Sequence, residues 1–204
     1  MKKKMVFFTG AGISKSSGIS TYRDKDGIWS LHNSNEVAHI DAWNNTPEIV
    51  ISFFNELRDN IINAKPNSAH YTLASLQDEY DVTIITQNID NLHEQAGSSN
   101  VIHIHGELNK YYDIHTKPNV VLFGEEPLYM IDAIDAIYNC DMLIIIGTSL
   151  EISYTIPLLS SVKNKNNIYY IDPNPSDQVF FQIPTINFIR ENAIPGLKHY
   201  LEIL

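Results

Sequence analysis

A short apolar run, Met5-Val6-Phe7-Phe8, empties without a break into Thr9-Gly10-Ala11-Gly12-Ile13-Ser14. An apolar run this short, with no polar alternation, reads as a strand buried on both faces of a parallel sheet. Two glycines one residue apart permit a tight turn and let backbone N–H groups approach a ligand with no Cβ in the way. Ser14, Ser16 and Ser17 are good caps for a short helix behind the turn, whose positive dipole end favours an anion. With Tyr22 and Arg23 following, the stretch has the layout of a diphosphate site. Gly-Ala-Gly alone serves equally well as a structural βα turn, and it lacks the third glycine of the dinucleotide fingerprint.

The rest of the chain narrows the choice of fold. Apolar runs recur at Val82–Thr86, Val101–His105, Met142–Ile146, Ile168–Ile171 and, less sharply, Ile186–Ile189. Helical patterns lie between them, which predicts an α/β fold with a mainly parallel sheet. Six strands in two sets of three suit a doubly wound, Rossmann-like sheet of order 3-2-1-4-5-6. Strands one and four are then neighbours, and Gly10-Ala11-Gly12 meets Gly147-Thr148-Ser149 at the switch point. A dinucleotide belongs in that crevice.

Composition excludes several classes. A formal charge of −10 argues against nucleic-acid binding, which rests on a basic surface. No apolar run approaches membrane-spanning length, and the stretch behind Lys2-Lys3-Lys4 is too short for a signal-peptide core. Cys140 is the only cysteine. It rules out an internal disulfide and fits a reducing, cytoplasmic setting.

Some seventy residues separate the first two strands, far more than one crossover helix needs. Residues 24–66 are therefore read as an inserted helical module within a single domain, 1–204. Pro47 to Ala64 is amphipathic, with Val50, Phe53, Phe54, Leu57 and Ile61 on one face, Thr46 as cap and Pro47 in the first turn. Residues 24–45 are expected to be irregular, either a mobile loop closing over ligand or a packed surface loop. Ser68 to Leu76, Pro127 to Asn139 and Tyr154 to Lys163 read as further helices.

Strand ends carry the chemistry. Gln87-Asn88-Ile89-Asp90-Asn91 sets amide and carboxylate groups at the carboxyl edge, although Asp90 or Asn91 could instead cap the following helix. His103 and His105 fall on one strand face. His103 reads as a core residue, whereas His105 ends its strand beside Gly106, with a near-neutral pKa suited to taking a proton from a hydroxyl. Asp172-Pro173-Asn174 ends strand five, where a carboxylate can accept ribose hydroxyls.

Thr9–Asp24, Gln87–Asp90, His103–Gly106 and Gly147–Ser149, in order and correctly spaced, closely resemble the signature set of the sirtuins, NAD-dependent protein deacylases. The resemblance runs from residue 6 to about residue 176. It implies NAD as cofactor, held by Gly10, Ala11, Gly12, Ser17, Tyr22, Arg23, Gln87, Asn88, Ile89, Asp90, Gly147, Thr148, Ser149, Asp172, Pro173 and Asn174. It gives His105 the role of general base on the ribose, with Asn88 beside it, and Arg23 that of neutralising diphosphate charge. Tyr22 stands where the family usually has phenylalanine, and Asp172 and Asn174 where it commonly has Asn and Glu. Asn119 to Glu125 matches the segment that pairs with an acyl-lysine peptide, giving Val121, Phe123, Gly124 and Glu125 substrate contacts; an ordinary edge strand is the alternative.

The implied activity is removal of acyl groups, acetyl above all, from lysine side chains, giving nicotinamide and O-acyl-ADP-ribose. NAD hydrolysis or ADP-ribosyl transfer at the same site, and a silent NAD- or ADP-ribose-binding module, are the alternatives. The main departure is at residues 109–118. Most sirtuins carry a zinc module with two Cys-x-x-Cys pairs here, and this chain has no cysteine in the region. Residues 107–125 are read as its reduced remnant, zinc-independent and held by packing of Tyr111, Tyr112 and Pro118.

Overall fold

In the computed structural model, residues 1–22, 25, 27–108, 112–113 and 115–204 are described. The strands β1 (Lys4–Thr9), β2 (Asp81–Thr86), β3 (Val101–His103), β4 (Met142–Ile146), β5 (Ile168–Ile171) and β6 (Asn187–Ile189) form one sheet. Its order is β3-β2-β1-β4-β5-β6, as expected, and every pairing is parallel. The register is nearly flush at one edge. Thr9 sits opposite both Thr86 and Ile146, Thr86 opposite His103, and Ile146 opposite Ile171. The loops that follow these five strands therefore leave the sheet along a single line.

Alternation along the strands feeds two cores. Val6, Phe8, Ile85, Leu143, Ile145 and Tyr170 point to one face, and Met5, Phe7, Ile84, Ile144 and Ile171 to the other. Helices α1 (Ile28–Leu31), α2 (Ser34–Val37), α3 (Ile40–Asn45), α4 (Pro47–Ile62), α5 (Ser68–Ser75), α6 (Leu92–Gln95), α7 (Met130–Tyr138), α8 (Thr155–Ser160), α9 (Val179–Gln182) and α10 (Ala193–Ile203) complete the chain. The first core is closed by α7, α8 and α9 through Ile137, Leu159 and Val179. Leu73 of α5 and Leu197 and Tyr200 of α10 close the second. Phe7 and Phe8 are both fully buried on opposite faces, each stabilising the fold by about 1.5–3 kcal/mol.

A third core lies off the sheet, built by α1 to α4 with Leu108, Tyr112, Val120 and Leu122. Residues 24–45, expected to be irregular, instead hold three short helices whose Ile28, Val37 and Ala42 are buried. The stretch is packed because those apolar groups find α4, which buries Val50, Phe53, Phe54 and Ile61 on one face. Thr46 precedes α4, but its hydroxyl donates back to the Ala42 carbonyl (3.2 Å) and closes α3 instead of capping α4. The insertion is tied down where it ends. The Asn67 amide donates to the Ile13 carbonyl (2.8 Å) and to Ser17 Oγ (2.9 Å), while its Oδ1 accepts from the Ala69 N–H.

Two sequence expectations change at β3 and beyond. The strand stops at His103, not His105, because the chain turns back: Gly106 N–H donates to the His103 carbonyl, and Val121 N–H to that of His105 (2.8 Å). Asn119 to Glu125 is accordingly not a regular edge strand. It holds only isolated bridges, Val120 with Gly106 and Phe123 with His39. The shortened segment is pinned by a reciprocal pair of bonds between the Asn55 side chain and the Tyr112 backbone (3.0 and 3.1 Å). Lys117 Nζ adds bonds to the Val120 carbonyl (2.6 Å) and the Glu125 carboxylate (2.9 Å). Tyr112 and Pro118 are buried as expected; Tyr111 lies outside the described residues.

Beneath β1 and β2 sits a pair of buried histidines. His70 and His93 meet edge to face, with ring centroids 4.9 Å apart. Burial lowers the His70 pKa to about 4 and holds His93 well below the usual histidine range. Both remain neutral at physiological pH. His93 Nε2 bonds Thr9 Oγ1 (3.0 Å), and the pair behaves as core, not as chemistry.

Candidate active site

A cleft of about 1200 Å³ runs along the flush sheet edge. It is lined in strand order by His105 after β3, Gln87 to Ile89 after β2, Gly10 to Gly12 after β1, Gly147 to Ser149 after β4, and Asp172 to Asn174 after β5. From β3 to β5 is four inter-strand steps, about 19 Å at the usual strand spacing. Tyr22, Val121, Phe123, Gly124 and Glu125 line the opposite wall. Ser17 and Asp90 do not reach the cleft surface, and Arg23 lies outside the described residues.

The glycines work differently from the sequence expectation. A Cβ on Gly10 would stand 2.6 Å from Thr148 Cβ, and one on Gly12 would stand 2.6 Å from Gly147 Cα. What the missing side chains admit is the neighbouring loop. Gly12 N–H donates to the Gly147 carbonyl (2.8 Å), and Gly10 N–H to that of Ile146 (3.0 Å). Gly147 itself has φ +63 and packs on the Ile13 backbone. Behind the turn there is no α-helix. Two 3₁₀ turns, Ala11–Ile13 and Lys15–Ser17, follow one another, with no side-chain cap from Ser14.

Ser14 has another task. Its hydroxyl donates to Asp90 Oδ2 (3.0 Å) and accepts from Asn88 Nδ2 (3.2 Å), which also donates to the Gly10 carbonyl (3.2 Å). Both amide hydrogens of Asn88 are thus engaged, and its Oδ1 is what it can offer a ligand. Asp90 acts through this chain and caps α6 through the Leu92 N–H (3.1 Å). Burial pushes its carboxyl up, against the pull of those two bonds. Ser17 Oγ is taken by Asn67. Tyr22, its ring tilted against Trp29 with centroids 5.2 Å apart, has its phenol pKa raised by burial and then by the charge of Asp90.

His105 is held in one tautomer. Its Nδ1 faces the Gln87 carbonyl at 2.9 Å, and a carbonyl only accepts, so Nδ1 carries the proton. Nε2 is then the basic nitrogen, and the Tyr154 hydroxyl donates to it. Gln87 is fixed in turn, its side chain donating to Thr148 Oγ1 (2.8 Å) and its N–H to the Thr9 carbonyl (2.9 Å). His103 is a core residue, as expected. Burial works against its charge, but the Glu94 carboxylate at 2.8 Å and the Asn88 carbonyl outweigh it and raise its pKa.

Among the substrate-side residues, Glu125 has its carboxylate occupied by Lys117 and by the Leu122 N–H (2.8 Å), so it shapes the wall. Phe123 packs its ring 5.9 Å from Trp29, which stacks on Phe53 at 6.0 Å. Phe53 and Phe54 also line the cleft. The sequence places both on the apolar face of α4, and the sirtuin resemblance puts Phe54 at a position that selects the acyl group. Lys15, Lys25 and Trp29 are lining residues that sequence reasoning missed, and so is Tyr154. No motif marks Tyr154, because its partner lies 49 residues away on another loop.

The Sir2 family model matches residues 10–117 and 112–154. An NAD-dependent protein deacylase of Helicobacter pylori strain J99 is 37% identical over 219 residues, covering 96% of this chain and 93% of the relative. The chain belongs to the Sir2 family. The structure of a Sir2 homologue–NAD complex superposes with a TM-score of 0.82 at 30% identity, covering 99% of this chain and 91% of that one. A Sir2 mutant bound to a deacetylated p53 peptide and 3′-O-acetyl-ADP-ribose superposes at 0.84 and 27% identity, covering 99% and 94%.

The lining fits the nucleotide that such proteins use. The row of loops has about the reach of an extended dinucleotide, Lys15 and Lys25 supply cations, and Asp172 and Asn174 supply polar groups at the end opposite His105. The loop interlock is independent of any ligand. Gly12→Ala is therefore expected to lose more than about 2 kcal/mol of stability in urea unfolding without nucleotide. Wild-type stability in that variant would return the glycine to a purely ligand-facing role.

Proposed function

We infer that the chain is an NAD-dependent protein-lysine deacylase, with His105 as the base at the nicotinamide ribose. One observation carries this reading: a histidine that lines the cleft at its β3 end has Nδ1 locked on a carbonyl, which leaves Nε2 as its basic nitrogen. NAD, when bound, supplies the ribose carbon from which nicotinamide departs and which the acyl oxygen attacks. His105 Nε2 would then take the proton of a ribose hydroxyl, whose oxygen bonds to the acyl carbon; with one water consumed, the amide C–N bond breaks, the lysine amine leaves and the acyl group stays on ADP-ribose. Asn88 offers Oδ1 to the same ribose. Gly10 to Gly12, Lys15 and Ser149 face the diphosphate, and Asp172 and Asn174 the adenosine. Val121 and Phe123 flank the acyl-lysine. Residues 24–66 and 107–125 act as the two small modules that roof this channel, supported by the core they share. The single, buried thiol suits a reducing cytoplasm, and among the described residues no helix is long and apolar enough to cross a membrane.

His105→Ala is expected to lose deacylation by about 10²–10⁴-fold while keeping the thermal stabilisation given by NAD. Near-normal turnover in that variant would remove His105 from the chemistry. Mass spectrometry of the products separates the reactions: O-acetyl-ADP-ribose reports deacylation, and free ADP-ribose made without acyl peptide reports NAD hydrolysis.

Acyl choice follows from α4. The sirtuin pattern for succinyl or malonyl groups, a Tyr and an Arg three residues apart, falls here on Phe54 and Leu57. Arg58 is one position on, about 100° round the helix, and does not line the cleft. A carboxylate against this aromatic wall would be buried at high cost, so kcat/KM is expected to favour an acetyl peptide. The opposite preference would mean that another cation reaches the acyl group.

The small module is read as holding without zinc: its segment is fastened by Asn55 and Lys117, and Cys140, the only cysteine in the sequence, lies outside it. Chelators are expected to leave both melting temperature and rate unchanged. Stoichiometric zinc whose removal unfolds the protein would refute this.

A further inference from the structure

We propose that Tyr154 guards the base: its hydroxyl holds His105 Nε2 until a ribose hydroxyl takes its place. The inference rests on the reading of His105 as the base and adds a residue that reading does not require. Three observations lead to it. The Tyr154 hydroxyl donates to Nε2, and its ring stands edge-on to the imidazole, centroids 6.2 Å apart at 84°. Tyr154 itself lines the cleft. The Gln87 carbonyl holds the other nitrogen, so Nε2 has one lone pair and the phenol occupies it.

A ribose hydroxyl giving up its proton must donate into that same lone pair. Two donors cannot both align with it, so the arriving hydroxyl displaces the phenol. The backbone around Tyr154 is anchored: Thr155 Oγ1 donates to the carbonyls of Leu150 (3.1 Å) and Ile152 (2.7 Å). The exchange therefore needs a side-chain rotation and no loop opening. Burial raises the phenol pKa, so Tyr154 keeps its proton and serves only as donor. It is a positioning residue. It keeps the imidazole in its reactive tautomer, aimed at the cleft, when no nucleotide is present.

Nitrogen-15 NMR of histidine-labelled full-length protein tests this, with the His105 signals assigned by their loss in His105→Ala. In the wild type without nucleotide, the Nε2 resonance is expected at the position of a hydrogen-bonded acceptor. In Tyr154→Phe it should move towards that of a solvent-exposed imidazole nitrogen, and saturating ADP-ribose should restore it. ADP-ribose should bind Tyr154→Phe about two- to ten-fold more tightly, since no internal bond has to be broken first. An Nε2 signal that Tyr154→Phe leaves unchanged, one that ADP-ribose fails to restore, or weaker ADP-ribose binding would each overturn the exchange. If Tyr154→Phe does not fold, the wild-type spectrum decides: an unbonded Nε2 without nucleotide, or a bonded one whose shift ADP-ribose leaves unchanged, overturns the proposal, and a bonded one whose shift moves as ADP-ribose replaces the donor supports it. Deacylation surviving in His105→Ala would instead remove the base assignment, and the NMR result distinguishes the two failures because it requires no turnover.

Discussion

The architecture of the site depends on two loops with too little side chain to keep each other apart. After β1 and β4 the chain passes backbone against backbone, Gly12 N–H on the Gly147 carbonyl, at the point where the sheet changes its direction of winding. Any Cβ at Gly10 or Gly12 would enter the other loop. The contact fixes where the two halves of the sheet meet, and from it the rest of the cleft follows. Gln87 reaches across to Thr148, His105 hangs on the Gln87 carbonyl, and Asn88 is tied to Gly10 through its amide. His105 is two hydrogen bonds from a packing contact.

Much of the fold was legible because it obeys local rules. Five strands read as continuous apolar runs because both faces of the sheet are covered, and their number with the intervening helices allows few topologies. β6 was weaker in sequence, and it is an edge strand, with Asn187 exposed. The boundaries that slipped did so for tertiary reasons. β3 lost two residues to the turn that brings Val121 against His105, and α1 to α3 formed in a stretch with little periodicity because α4 offered their apolar groups a core.

Of the site, the glycines and polar strand ends could be located but not their partners. Gly-Ala-Gly does not say whether it admits a phosphate or another loop. Asp90 sits in a motif that resemblance places around the ribose, yet its carboxylate is committed to Ser14 and to the first turn of α6. Glu125 likewise pairs inward with Lys117. Tyr154 and Asn55 carried no signal, since each acts on a partner about fifty residues away, and periodicity is blind at that distance.

The flush register of the five strands makes the sheet edge a ruler. Each loop contributes one station, spaced at the inter-strand distance of about 4.8 Å, with Asp172 at one end and His105 at the other. If His105 is the base proposed above, a mononucleotide anchored at the Asp172 end would span too few stations to bring a reacting carbon to it. On that reading length itself would act as a selectivity filter, with no residue dedicated to rejecting shorter nucleotides.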